Sequence, residues 1–124
     1  MTFGFEIDHV QIAIPVGAED EGRVFFAGLL GLVELPKPAD MAVRGGCWFA
    51  VADRQIHIGV EADFRAAKKA HVALKTAALD ELRLRLERAG YQTHDDSDID
   101  GRKRFFTHDP FGNRFEFMDR TART

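Results

Sequence analysis

At 124 residues, 45% hydrophobic and 30% charged, the chain has the size and composition of one compact globular domain spanning 1–124. Its net charge of −3 argues against a general nucleic-acid binder; no apolar run approaches a membrane span and no basic start leads into one, so a signal peptide is not expected and the cytoplasm is the default compartment. A single cysteine, Cys47, excludes an intramolecular disulfide and a cysteine zinc cluster, and beside Trp48 and Phe49 it reads as a buried structural thiol.

Ile7 to Ile14 is rich in branched apolar residues and stops at Pro15, as a strand does. His9, Gln11 and Ala13 share one face of it, and Val10, Ile12 and Ile14 the other, apolar face. Ala18 to Leu30 reads as one helix, with Glu19, Asp20 and Glu21 at its positive end, Phe25, Phe26, Leu29 and Leu30 as its stripe, and Gly31 just past its end. Leu32 to Leu35 is a short strand closed by a Pro36-Lys37-Pro38 loop. Cys47 to Ala52 and Gln55 to Val60 form a hairpin turning at Asp53-Arg54.

The same order then recurs. Ala70 to Lys75 is a strand, and Thr76 is placed to cap a helix from Ala77 to Ala89 whose Leu79, Leu82, Leu86 and Ala89 face one way. Gly90 ends that helix as Gly31 ends the first. Tyr91 to His94 is a short strand and Asp95 to Gly101 an acidic loop. Arg104 to His108 and Arg114 to Met118 form a last hairpin around Asp109-Pro110-Phe111-Gly112-Asn113, and Asp119 to Thr124 reads as a frayed tail. Residues Ala62 to Lys69 are the only joint, so the halves are expected to share one sheet surface. The basic clusters Arg65 to Lys69 and Arg102 to Arg104 read first as solvated patches and, more sharply, as part of a pocket for an anion.

The repeat places chemistry as well as elements. His71 follows His9 by 62 residues, and Glu116 follows His57 by 59, so a duplicated unit of about 60 residues holds four ligand-type residues at two pairs of equivalent positions. Alternation supports the same four: Ile56, Ile58, Phe115 and Phe117 take the core faces, and His57 and Glu116 the opposite ones. Three imidazoles and a carboxylate are a plausible shell for a divalent metal, with zinc, iron, nickel and manganese not distinguished, and leave open positions for a substrate or water. Each histidine taken alone is more often a plain hydrogen-bonded residue. His94 and His108 read as surface and turn residues.

Asp8-His9-Val10, His71-Val72-Ala73-Leu74 and, above all, Asp109-Pro110-Phe111-Gly112-Asn113-Arg114-Phe115-Glu116-Phe117 carry a resemblance to the vicinal oxygen chelate superfamily, also called the glyoxalase/bleomycin resistance/dioxygenase superfamily. It covers residues 5 to 119. The resemblance implies an α+β fold of two tandem βαβββ modules, about 5–61 and 70–119, forming a curled mixed sheet around a cleft with helices on the outer face. It implies a divalent metal held by His9, His57, His71 and Glu116, and a homodimer. His9, His71 and Glu116 match the two-histidine, one-carboxylate set of the family's dioxygenases and thiol transferases. His57 stands where glyoxalase-type members carry Glu, and a metal-bound imidazole has no lone pair left to act as their second base. The expected function is therefore a metal-dependent enzyme, a lyase, thiol transferase or dioxygenase, acting on a small oxygen-bearing and possibly anionic substrate. Glu116 is the candidate proton carrier, and Trp48, Phe49, Arg104 and Phe106 are the candidate substrate-binding residues. A metal-free, ligand-sequestering protein of the bleomycin-resistance kind is the alternative, and a sensor or immunity module a weaker third.

Overall fold

A computed structural model describes residues 2–124. The chain divides into two compact units, the first ending at Arg65 and the second running from Ala66 to Thr124. Each unit builds its own four-stranded mixed sheet, rather than the one continuous sheet expected, so the fold is α+β with two tandem modules.

In the first unit, β1 (His9–Pro15), β2 (Val33–Leu35), β3 (Cys47–Val51) and β4 (Arg54–Glu61) lie in the order β1-β4-β3-β2. β1 runs parallel to β4, with Gln11 opposite His57, and β3 runs antiparallel to it, with Trp48 opposite His57. Ile14, Phe25, Phe26, Phe49, Ile56 and Ile58 make the core. The single expected helix is two pieces: α1 (Glu19–Arg23), then a π-helical stretch, Val24–Leu29, in which the Leu30 amide donates to the Phe25 carbonyl. The wider turn buries both Phe25 and Phe26, adjacent residues that a regular α-helix would splay by about 100°. A short helix, α2 (Ala39–Ala42), follows the Pro36-Lys37-Pro38 loop, where the sequence marks no element.

In the second unit, β5 (His71–Thr76), β6 (His94–Asp95), β7 (Arg104–His108) and β8 (Arg114–Asp119) repeat the plan as β5-β8-β7-β6, with β5 parallel to β8 and Phe106 of β7 opposite Glu116. α3 (Leu79–Arg88) buries Leu79 and Leu86. Thr76 does not cap it: the N-cap position is Ala78, and the Thr76 hydroxyl accepts from the Ala78 amide one step earlier. Gly90 ends it as expected, at φ +94, with the Tyr91 amide donating back to the Leu86 carbonyl. The tail is pinned rather than frayed, because Arg123 binds Asp119 and Asp80 and its amide donates to Gly101. Among the described residues no helix is long and apolar enough to cross a membrane.

β4 and β8 are each flanked by strands on both sides. His57 and Glu116, on the faces opposite the core, are nevertheless 7% and 5% exposed. Their neighbours, described below, cover them.

Candidate metal-binding pairs and ligand pocket

Each unit holds one pair of the four ligand-type residues. In the second, Glu116 in the middle of β8 reaches His71 at the start of β5, with 3.0 Å between His71 Nε2 and Glu116 Oε1. The other ring nitrogen decides what this contact means. His71 Nδ1 lies 2.9 Å from the Lys69 carbonyl, which can only accept, so Nδ1 carries a proton. Nε2 then faces a carboxylate, which as an anion is also only an acceptor. The two therefore face each other across a shared proton, on either partner, or across a metal. Two ligands bonded at 2.0–2.2 Å and near a right angle stand about 3 Å apart, so the pair already has ligand spacing. A histidine whose second nitrogen is tied to a carbonyl is also the usual arrangement at a metal.

Arg104 completes the surroundings of Glu116. Its Nη1 is 3.2 Å from Glu116 Oε2, its Nε donates to the Ser97 carbonyl at 2.8 Å, and its Nη2 faces Asp96. Every part of this guanidinium has an acceptor. The expectation that Arg104 meets a substrate's charge is therefore replaced: it compensates Glu116. Phe106 shares a face with Arg104 as alternation suggested, but it is buried, edge-on to the His71 ring at 5.1 Å, with Arg104 and Arg114 over its own ring at 5.3 and 3.9 Å. It supports the histidine rather than lining an open wall.

The first unit is different. His9 Nδ1 donates to Asp8 at 2.8 Å, which leaves its Nε2 lone pair open and depresses the Asp8 carboxyl below its ordinary range, chiefly through that hydrogen bond. His57 Nε2 instead donates to the Gln55 side-chain oxygen at 2.8 Å. Its ring is sandwiched, 4.0 Å from His9 at 16° and 4.1 Å from Trp48 at 7°. Burial, then the neighbouring His9, pushes its pKa down and favours the neutral ring. Metals bind imidazole lone pairs in the ring plane. An ion in the plane of His9 lies far outside the nearly parallel plane of His57, so in this arrangement the two rings do not share one ion. The donors of the second unit, His71 and Glu116, fit two positions of a metal; in the first unit His9 keeps an open nitrogen, and His57 in this arrangement does not share an ion with it. Among the described residues no three His, Cys, Asp or Glu side chains are grouped as a cage.

Beside the stack the first unit has a concave pocket of about 630 Å³, lined by Asp8, His9, Gln11, Lys37, Met41, Arg44, Trp48 and Gln55 among others. Trp48 lines it. Phe49 does not: it is fully buried against Phe26, because it points to the other face of β3. Lys37, Met41 and Arg44 escaped the sequence reading. They sit around α2, in a stretch that two prolines and two glycines mark as plain loop. His94 is exposed, as read; His108, read as holding the hairpin turn, is exposed too, and the turn is held instead by Asp109, which accepts from the amides of Phe111 and Asn113 and from the Asn113 side chain.

Among solved structures, a protein of Bacillus anthracis described as of the glyoxalase family is 44% identical, with a TM-score of 0.91 over 98% of this chain and 99% of that one. The chain belongs to the vicinal oxygen chelate superfamily. Two further members share the fold at lower identity: the fosfomycin resistance protein FosX of Listeria monocytogenes, at 16% and a TM-score of 0.73 over 98% of this chain and 96% of that one, and lactoylglutathione lyase of Agrobacterium tumefaciens, at 17% and 0.73 over 96% of each. No protein-family model and no curated protein matches the chain. Superfamily membership accounts for the paired modules and for the equivalence of His9 with His71, and of His57 with Glu116.

Proposed function

We propose that the protein is a divalent-metal-dependent enzyme of this superfamily acting on a small oxygen-bearing substrate. The observation that supports this is the 3.0 Å contact between His71 Nε2 and Glu116 Oε1, two ligand-type atoms at the spacing of neighbouring ligands of one metal. His71 and Glu116 would hold the ion; in the first unit His9, with Nδ1 tied to Asp8, keeps an open nitrogen. When bound, such an ion polarises a substrate oxygen as a Lewis acid.

The chain's own residues supply the rest. The Lys69 carbonyl fixes the His71 tautomer and Phe106 fixes its ring. Arg104 compensates the charge of Glu116 and binds only one of its two oxygens. The Glu116 carboxylate, held by His71 on one oxygen and by Arg104 on the other, is the candidate to take or return a proton at a substrate carbon or hydroxyl once a substrate displaces it from the ion. His57 is a poor second base for glyoxalase-type isomerisation, because its Nε2 already donates to Gln55 and its ring is enclosed. The same enclosure supports the second reading, a metal-free binding protein that uses the first unit's pocket.

Purifying the protein without a histidine tag, stripping it with chelator and titrating manganese, iron, nickel and zinc separately tests the proposal. One ion per chain is expected, with affinity at least tenfold weaker in His71→Ala and in Glu116→Gln. Binding of none of the four ions, or unchanged binding in both variants, would leave the metal-free reading standing instead.

A further inference from the structure

The pocket of the first unit contains an unused recognition device. Lys37 and Arg44 are the two cations among its lining residues, against one carboxylate, Asp8, which is exposed and already bonded to His9. The Arg44 amide donates to the Met41 carbonyl, but its guanidinium has no hydrogen-bond or ion-pair partner among the described residues. Lys37 Nζ donates to the Gly45 carbonyl and lies over the Trp48 ring at 5.9 Å, which leaves further ammonium donors unused. The Trp48 indole and Met41 add apolar surface, and Gln11 adds an amide.

The backbone holds these cations on the pocket. Gly45 and Gly46 both take the left-handed region, at φ +77 and +82, and turn the chain from α2 into β3. A Cβ on Gly46 would stand 2.1 Å from the Ile58 carbonyl oxygen, so this tight approach of the turn to β4 needs glycine. The consequence is that Arg44, immediately before the turn, and Lys37, whose ammonium is latched to Gly45, both border the Trp48 wall.

A volume of 630 Å³ suits a metabolite-sized ligand. Two cations against one carboxylate favour an anion, and the indole beside them favours a flat apolar portion. We propose that this pocket binds a small planar carboxylate, with Arg44 and Lys37 on the carboxylate and Trp48 against the flat portion. The proposal gives a substrate class to the metal-dependent reading and rests on it for turnover, but the binding itself needs no metal.

Trp48 is the only tryptophan of the chain, so its emission reports this pocket directly. Chelator-treated, full-length protein is titrated with benzoate, benzamide and benzamidine, which have nearly the same shape and carry negative, zero and positive charge. Benzoate should quench Trp48 saturably and bind at least tenfold more tightly than benzamide, while benzamidine gives no saturable response. Arg44→Ala and Lys37→Met should each weaken benzoate tenfold or more, whereas Arg88→Ala on α3 leaves it unchanged; Arg44 is exposed, so its variant keeps the fold. Benzamide or benzamidine binding as well as benzoate, no saturable benzoate response, or wild-type affinity in Arg44→Ala would overturn the assignment. A metal titration of the same samples keeps the two claims apart: a protein that takes up metal but ignores benzoate refutes this subsite alone, and one that binds benzoate but no metal refutes the metal reading alone.

Discussion

Arg104→Met removes the partner that a metal would have to share. The substitution keeps an apolar stem against Phe106 and deletes three contacts: with Glu116 at 3.2 Å, with the Ser97 carbonyl at 2.8 Å and with Asp96 at 3.3 Å. The Asp96 pair is half exposed on its acid side and contributes little. The Glu116 pair is different, since its side chains are only 13% and 6% exposed. Deleting one member of such a pair costs about 3–5 kcal/mol, and because Glu116 keeps His71 the low end applies, about 3 kcal/mol in metal-free protein. A bound divalent ion would compensate Glu116 in place of Arg104 and cut the loss to about 1 kcal/mol. The thermodynamic cycle then requires the variant to bind metal more tightly by the difference of about 2 kcal/mol, roughly 30-fold. Urea unfolding followed by circular dichroism, with and without saturating metal, gives both sides of the cycle, and calorimetric titration gives the affinity independently. An equal loss of stability in both conditions, together with unchanged affinity, would refute the idea that Glu116 is shared between Arg104 and an ion.

Gly46→Ala combines a left-handed backbone with a 2.1 Å approach to a β4 carbonyl and should cost about 3 kcal/mol or more; Gly90→Ala, also at positive φ but with open space around its Cβ, should cost about 1 kcal/mol, and chemical denaturation separates the two. His57→Phe should keep the three-ring stack and bind metal within about threefold of wild type, since the ring is assigned to packing; a loss of tenfold or more would return His57 to the ligand set. Burial, outweighing the hydrogen bonds from Asn113 and the turn amides, raises the Asp109 carboxyl above its ordinary 3.8, so a carboxyl carbon NMR titration should find its midpoint above that value. The sign for stability follows. The folded state holds this proton more tightly than the unfolded one, so the Asp109 contribution declines as pH rises from 3.8 through the raised value, and a midpoint at or below 3.8 would contradict the burial argument.

Much of this molecule can be read from its residues because one plan is written twice. Glycines after the helices, alternating strands and the Asp109 to Asn113 turn place seven of the eight strands within a residue or two, and the equivalences of His9 with His71 and of His57 with Glu116 follow from spacing alone. What stayed hidden depends on contacts between elements. No periodicity announces that Phe25 and Phe26 can both be buried by a π-helical turn, or that four residues after Pro38 make a helix. Alternation put His57 on the same kind of face as Glu116, but only the register that sets Trp48 opposite it turns that face into a ring stack. Arg104 read as a cation free for substrate because its acceptors, Ser97, Asp96 and Glu116, come from three separate places in the chain. Arg44 was passed over for the converse reason: nothing in its neighbourhood in sequence marks a cation that borders a pocket.

The claim on which the functional account depends is that a cation belongs between His71 Nε2 and Glu116 Oε1. A crystal structure of the manganese-loaded protein, with the ion located by its anomalous scattering, tests it directly. The account predicts an ion within about 2.0–2.3 Å of both atoms, the Lys69 carbonyl still accepting from His71 Nδ1, and His57 still stacked and outside the coordination shell. An ion bound through His57, or one that leaves the His71–Glu116 contact untouched, would contradict it.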